Sequence, residues 1–464
     1  AILGAGTFVL VLIVFLGPLR FFENIFYDLN FAVSAVEAGD SVTVVGVDAV
    51  SLSKLGTLPW PRTRYAHLVD IINTCSPRAV ALDFLFQKRI IQEGNDSLEA
   101  VFSRTKNLVL PFRADRISSR PAVAIPSIPK EVFIQRFKRL SNQEKLKNVF
   151  FYNVTSFGGP EPDFAKHAGY GGFLNVSTSN TSQKLHEVIH VIRGGNEYFP
   201  SFGLSAAAAF YDLRPENFVL DGEPKVVLGK KEIPLTPYAG TSFINFRNDN
   251  KPIKTVSAYS ILSGEFDTSV IRNKLIFIGI TDPAAGAADF FITPVRSQFP
   301  GVEAWATVAT DIIEEAWIKR GGGLLSAANW TMFLLIFPGL ALIIPDKKNI
   351  LAVLGMAVIT GASFVLSFFL FSSQSYFWNP ANHIYAGVFL LAWLAAKKAD
   401  PTLAAQPEIV FESRDAEGDD TLSPPLSSDY ITGIPKTDTG CFVMGQITGS
   451  VVSEQETAVS GDTL

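Results

Sequence analysis

Thiols and imidazoles are scarce in this sequence. Cys75 and Cys441 are its two cysteines, and five histidines are scattered along 464 residues. That count excludes a disulfide framework and a cysteine-based metal centre. His186 and His190 stand close enough to share a metal if they lie on a helix, but no third ligand accompanies them. HExxH, GxSxG, GxxxxGK[ST] and a GxGxxG after a strand are all missing. The chain therefore shows no zincin site, nucleophile elbow, phosphate loop or dinucleotide fingerprint. A basic excess is missing as well: the formal net charge is −5, which argues against a nucleic-acid partner. No metal, no cofactor and no enzymatic activity are expected.

Apolar residues are abundant. They make up 48% of the chain, and the mean hydropathy of +0.25 is too high for an ordinary soluble protein. Four segments account for this excess. Ile2 to Leu16 is aliphatic and is expected to continue past Arg20 as an uncleaved N-terminal anchor, residues 1–22. Trp330 to Ile344, Ile350 to Phe371 and Tyr376 to Ala396 form a second region, residues 327–398. Lys347 and Lys348, and then Lys397 and Lys398, fall on one side if all three segments span, and the positive-inside rule makes that side cytoplasmic. Residues 399–464 are acidic and rich in Ser, Thr, Pro and Gly, and are expected to form a disordered cytoplasmic tail.

Between the membrane regions, residues 23–320 read as one α/β domain, a mixed sheet covered by helices. Val42–Val47 and Ala79–Leu82 are apolar runs that end on Asp48 and Asp83. Tyr65, Leu68, Val69, Ile72 and Cys75 recur between them at helical spacing. This predicts a βαβ unit with its two strands adjacent. Further strands are expected at Leu108–Phe112, Tyr170–Val176, Val188–Ile192, Lys225–Leu228, Phe243–Phe246 and Leu275–Ile280. The last of these, LIFIGI, is apolar throughout, as a strand buried on both faces should be. Helices are expected at Pro200–Asp212 and, as one long amphipathic element, at Gly301–Lys319.

Open α/β sheets bind ligands at the carboxyl ends of their strands. Candidate ligand-binding residues there are Asp48, Asp83, Arg62 on the intervening loop, and Asp282 and Asp289 on the Gly/Ala-rich loop after LIFIGI. Trp60, between two prolines, offers a stacking face, and Glu303 starts the last helix. Each has a plainer alternative. Asp48 would cap a turn, Asp83 would pair with Arg62 or Lys88, and Trp60 would pack beneath its loop.

The stretch LPWPRTRYAHLVDIINTCSPRAVALDFLF resembles the opening signature of the CHASE2 domain, and GGFLNV, PSFGLSAAAA, KLIFIGIT, ADFFITP and GVEAWATVATDII are similar to later parts of it. The order of one span, one domain and three spans also resembles that family. The resemblance implies an extracytoplasmic input module of a bacterial inner-membrane receptor, with the domain periplasmic or extracellular. Three features depart from the family. Trp305 and Thr307 stand where a His and an Asn are usual, a longer connection, STSNTSQKLHEV, replaces the usual Asp-rich turn with an arginine after GGFLNV, and the acidic tail stands where a cyclase, kinase or other output domain is expected. The expected function is non-enzymatic sensing or binding of a small ligand outside the cytoplasm. The expected partners are the lipid bilayer and either other proteins or a second copy. The alternative is a structural scaffold or accessory subunit of an envelope assembly.

Overall fold

The computed structural model describes residues 20–33, 38–87, 93–115, 136–176, 183–236, 240–247, 252–285, 290–319 and 349–380. All of them lie in one compact unit, Ala1–Ala405. Asp289, Lys88, most of the N-terminal anchor, the segment Trp330 to Ile344, residues 381–396 of the last apolar segment and the acidic tail lie outside the described residues.

Apolar residues on both sides of each short strand set up a sheet covered on both faces. In chain order the elements that build it are α1 (Arg20–Val33), β1 (Val42–Val47), α2 (Ala49–Leu55), α3 (Arg62–Thr74), β2 (Ala79–Leu82), α4 (Asn95–Phe102), β3 (Leu108–Asp115) and β4 (Tyr170–Phe173). They continue as α5 (Phe202–Phe210), β5 (Lys254–Ser257), α6 (Ala258–Leu262), β6 (Leu275–Ile280), α7 (Gly301–Ile313) and α8 (Asn349–Gln374). The strands run parallel in the order β5-β1-β6-β2-β3-β4, and Ser156–Gly158 adds an antiparallel strand to the end of β3. The sheet is therefore mixed, as expected.

Strand alternation divides the core. Val42, Val44, Ala79, Ala81, Leu275 and Phe277 point to the face covered by α5 and α7. Val45, Val47, Val80, Leu82, Ile276 and Ile278 point to the other, which packs on α3, α4 and α6. Full burial of each Val, Leu, Ile or Phe among them contributes about 1.5–3 kcal/mol before entropy. Small residues bring α5 and α7 close together. A Cβ on Gly203 would lie 2.8 Å from Val308 Cγ1 of α7.

Three expectations need correction. β1 and β2 are not neighbours, because β6 inserts between them and pairs with both. LIFIGI has no polar side chain to present to solvent, so a central slot is where it buries most. The strand expected at Phe243–Phe246 is Thr241–Phe243 instead. Beyond it the Asn245 N–H turns aside to a side chain, the Asp311 carboxylate. Finally, α7 stops at Ile313 instead of reaching Lys319. Glu315 takes φ 56° and the Ala316 N–H returns to the Asp311 carbonyl at 2.8 Å, which closes the helix end. The strand β5 (KTVS) was not anticipated, being short and half polar.

α8, 26 residues long, contains the expected second late segment, Ile350 to Phe371, and runs on to Gln374. Ala357–Gln374 is long and apolar enough to cross a membrane, the one such helix among the described residues. Leu354, Val358, Val365 and Phe369 are exposed along it. Its other side meets α1, where Phe26 lies edge-on to Phe364 at 4.9 Å and Phe31 to Phe371 at 5.1 Å.

Candidate functional site

At the carboxyl edge of the sheet, the sequence-selected residues that the structure describes have protein partners. Asp48 is the N-cap of α2. Its carboxylate accepts from the Ser51 N–H at 2.8 Å, and from the hydroxyls of Ser51 at 2.6 Å and Ser257 at 2.8 Å. Trp60 is 1% exposed, donates to the Gly56 carbonyl at 2.8 Å and tilts against Tyr65. It packs beneath its loop. Arg62, also 1% exposed, pairs with Glu161 at 2.6 Å, bonds Asn95 and the Gln87 carbonyl, and lies over the Phe164 ring. Its carboxylate partner is thus one the sequence did not single out, Glu161 from a distant segment.

Asp83 is half-buried at the end of β2, and its N–H bonds the Ile278 carbonyl at 2.8 Å. Asp282 opens a turn, accepting from the Ala284 N–H at 2.7 Å. Glu303 bonds Arg296. Trp305 packs edge-on against Phe202 at a centroid distance of 6.2 Å, and the Thr307 hydroxyl returns to the Glu303 carbonyl at 2.7 Å. Both side chains serve helix packing.

A denser polar constellation lies elsewhere, where α7 meets α1 and the Thr241–Arg247 segment. Asp311 of α7 accepts from Arg247 Nη1 at 2.7 Å and from the Asn245 N–H at 2.9 Å. Arg247 Nη2 lies 3.6 Å from Glu314, and Asn245 donates to the Ala316 carbonyl at 2.7 Å. Burial pushes the Asp311 carboxyl up to about 7 against the pull of Arg247. Glu314 is raised for the same reason, again opposed by Arg247. One residue along, the Ile244 carbonyl accepts from the Tyr27 hydroxyl of α1 at 2.7 Å. Burial raises that hydroxyl well above its ordinary range. Tyr27 also meets His186, Phe243, Phe371 and Phe377 ring to ring.

Two histidines complete the junction. His186 Nε2 bonds Asp28 of α1 at 2.9 Å, and Lys184 reaches the other oxygen of that carboxylate at 2.6 Å. His190 Nε2 bonds the Ser242 hydroxyl at 2.7 Å, and burial lowers its pKa to about 4. These histidines stand just before and just after the short strand Glu187–Ile189, with Val191–Gly194 following, so helical spacing does not apply to them. No cluster of three potential metal ligands occurs among the described residues.

Below this network the Lys319 N–H bonds the Ser375 carbonyl at 2.7 Å and the Phe377 N–H bonds the Lys319 carbonyl at 2.9 Å. The chain leaving α7 is thereby stitched to the end of α8. The CHASE2 domain family matches residues 6–344, well over half of the chain. This chain belongs to the CHASE2 family. No curated protein and no solved structure matches it.

Within this CHASE2 domain, the most specific sequence matches prove to be framework. Trp60 and Arg62 lock the start of α3, and Phe86 packs edge-on to Tyr65, Phe102 and Phe164. Nothing in the sequence beyond residue type marks the junction. Asp28, Arg247 and Asp311 are far apart in the chain, and no periodicity brings them together.

Proposed function

We propose that this chain is a non-enzymatic, membrane-anchored sensory protein whose CHASE2 domain lies outside the cytoplasm and acts on the membrane helices through the α7–α1 junction. The observation that carries this reading is the buried chain of contacts in which Asp311 holds Arg247 and the Asn245 N–H, and the adjoining Ile244 carbonyl holds Tyr27. A shift of α7 against the sheet cannot leave Arg247 in place without exposing or unpairing a charge, and an unpaired buried charge is costly. Such an element has few intermediate positions, and a ligand biases it by its differential affinity for them. In this reading the helix α8 is one of four spans, the anchor 1–22 and the three segments of 327–398. The lysine pairs at 347–348 and 397–398 face the cytoplasm. Ligand entry at the carboxyl edge, near Asp83 and Asp282, belongs to the same proposal. Output passes to partner proteins or to a second copy.

Hydrogen exchange on the full chain in nanodiscs tests the coupling. Arg247→Met is expected to speed exchange in α1 and in residues 370–377 as well as locally. Exchange that changes only at residues 241–247 would remove the basis of the proposal. Sidedness has its own check. Glu144, whose side chain is 88% exposed, as Glu144→Cys should react with an impermeant maleimide in intact cells, whereas Cys75 is buried.

A second reading, a scaffold or accessory subunit of an envelope assembly, draws support from the partners already held by Asp48, Arg62 and Glu303. In that case, gentle-detergent purification should recover stoichiometric protein partners, and a clean single species would argue against it.

A further inference from the structure

At the opposite, amino edge of the sheet an open cleft of ≈ 510 Å³ lies between the ends of α3, α4 and α5. Three cations line it, Arg78, Arg104 and Lys106, against one acid, Asp212, and Arg104 is also paired with Asp70 at 2.7 Å. Arg78 is fixed in place: its Nε donates to the Phe210 carbonyl at 2.6 Å and its guanidinium lies 4.6 Å over the Phe210 ring. Its two terminal amino groups have no protein partner among the described residues, and neither do the Lys106 ammonium and the Asn273 side chain. A guanidinium held by its inner nitrogen and ring face, with its fork open, matches the geometry of phosphate and loses little freedom on binding.

The backbone around the cleft is unusual in the same way. Nine non-glycine residues among those described have positive φ, and four of them, Ser76, Asn107, Asp212 and Asn273, line this one cleft. Left-handed conformations held by non-glycine residues concentrate where surrounding structure fixes a site. Asn107 is pinned further, donating to the carbonyls of Arg78 at 3.2 Å and Ala209 at 3.1 Å.

The cleft shares its edge with both membrane connections. Lys274, next to Asn273, bonds Asp40 on the link from α1 into β1. Tyr211, next to Asp212, donates to the Ile313 carbonyl at 2.9 Å, where the chain turns towards Lys319 and α8. We propose that this cleft is a binding site for a phosphate-bearing anion, with Arg78 as the fork and Arg104 and Lys106 as supporting charges. A phospholipid headgroup and a free phosphate present the same chemistry to it. The site stands apart from the α7–α1 junction and holds whether or not sensing passes through that junction.

The test uses the full chain and reads hydrogen exchange at residues 73–78, 104–107 and 271–274. One arm adds inorganic phosphate to protein in neutral detergent at constant ionic strength. The other compares nanodiscs of phosphatidylcholine with nanodiscs of phosphatidylcholine mixed equally with phosphatidylglycerol. Slowing of about tenfold in the phosphate arm supports the site with a soluble anion. Slowing confined to the phosphatidylglycerol arm supports it with a headgroup. The double variant Arg104→Glu/Lys106→Glu should abolish the effect. Arg78→Lys, which keeps the charge and loses the fork, should weaken it about tenfold. Lys54→Glu, on α2 at the other edge, should leave it intact. No slowing in either arm, slowing that survives the double reversal, or equal loss in Lys54→Glu would overturn the proposal.

Discussion

Arg247 and Asp311 face each other at 2.7 Å with side chains 2% and 6% exposed, and they join the end of a core helix to the segment that holds Tyr27. The pair is short of hydrogen bonds on one side, since Arg247 Nε finds no acceptor. It therefore fixes position more than it adds stability.

Breaking one half of that pair is expected to be expensive. Asp311→Ala should destabilise the domain by about 3–5 kcal/mol, because it strands a buried guanidinium. Arg247→Met/Asp311→Leu should recover much of that loss. Chemical denaturation of the three variants measures both effects, and additive costs would argue against direct coupling.

Stability should respond to pH through two opposing groups. Asp311 has its pKa raised from 3.8 to about 7, so between those values the folded state holds a proton that the unfolded chain has lost, and stability falls as pH rises. His190 has its pKa lowered from 6.5 to about 4, so the unfolded chain gains a proton first and stability falls as pH drops across that window. The two slopes, each about 1.4 kcal/mol per pH unit, oppose one another from about pH 4 to 6.5. His190→Asn should therefore gain stability on acidification and Asp311→Asn should lose it. Melting curves across that range, with the two variants moving in the same direction, would contradict the assignment.

Tyr27→Phe removes one buried hydrogen bond to the Ile244 carbonyl. The expected cost is about 0.5–1.5 kcal/mol, because the carbonyl keeps the Phe246 N–H at 3.2 Å. A double-mutant cycle with Arg247→Met should show a coupling energy of about 0.5 kcal/mol or more.

Asp48→Ala should cost about 1 kcal/mol by loss of the α2 cap. A neutral result by thermal melting would free Asp48 for a role beyond capping.

Gly279→Ala probes the α7–β6 contact. The added Cβ would sit 2.6 Å from Val302 Cβ and 3.1 Å from Asp83 Cβ, neither of which can swing away. Overpacking of about 1–3 kcal/mol is expected, read as a lower denaturation midpoint.

How much of this was visible in the sequence depended on range. Val42–Val47, Ala79–Leu82 and Leu275–Ile280 declared themselves by composition, and α3 by the spacing of Tyr65, Leu68 and Ile72, because those signals are local. Strand order was not legible, since pairing across hundreds of residues leaves no periodic trace, and adjacency in sequence wrongly placed β1 beside β2. The length of α7 was overread. Trp317 and Ile318 continue an apolar pattern, and after the helix has ended Ile318 is buried and Trp317 half-buried against the core. The carboxylates at strand ends drew attention because their positions are read directly from the chain. The Asp28, Arg247 and Asp311 junction needed three-dimensional proximity to be seen.

β6 is also the last strand of the main sheet in chain order, and it fills the slot between two of the earliest. While the chain emerges, β1 and β2 must wait with unpaired apolar edges until most of the domain has been made. Assembly of this sheet is thus a late event with long-range closure, slow by contact order and exposed to misassociation until residue 280 arrives. A nascent chain halted before Leu275 should depend on holding chaperones, whereas one released a few residues past Ile280 has the strand that completes the centre of its sheet.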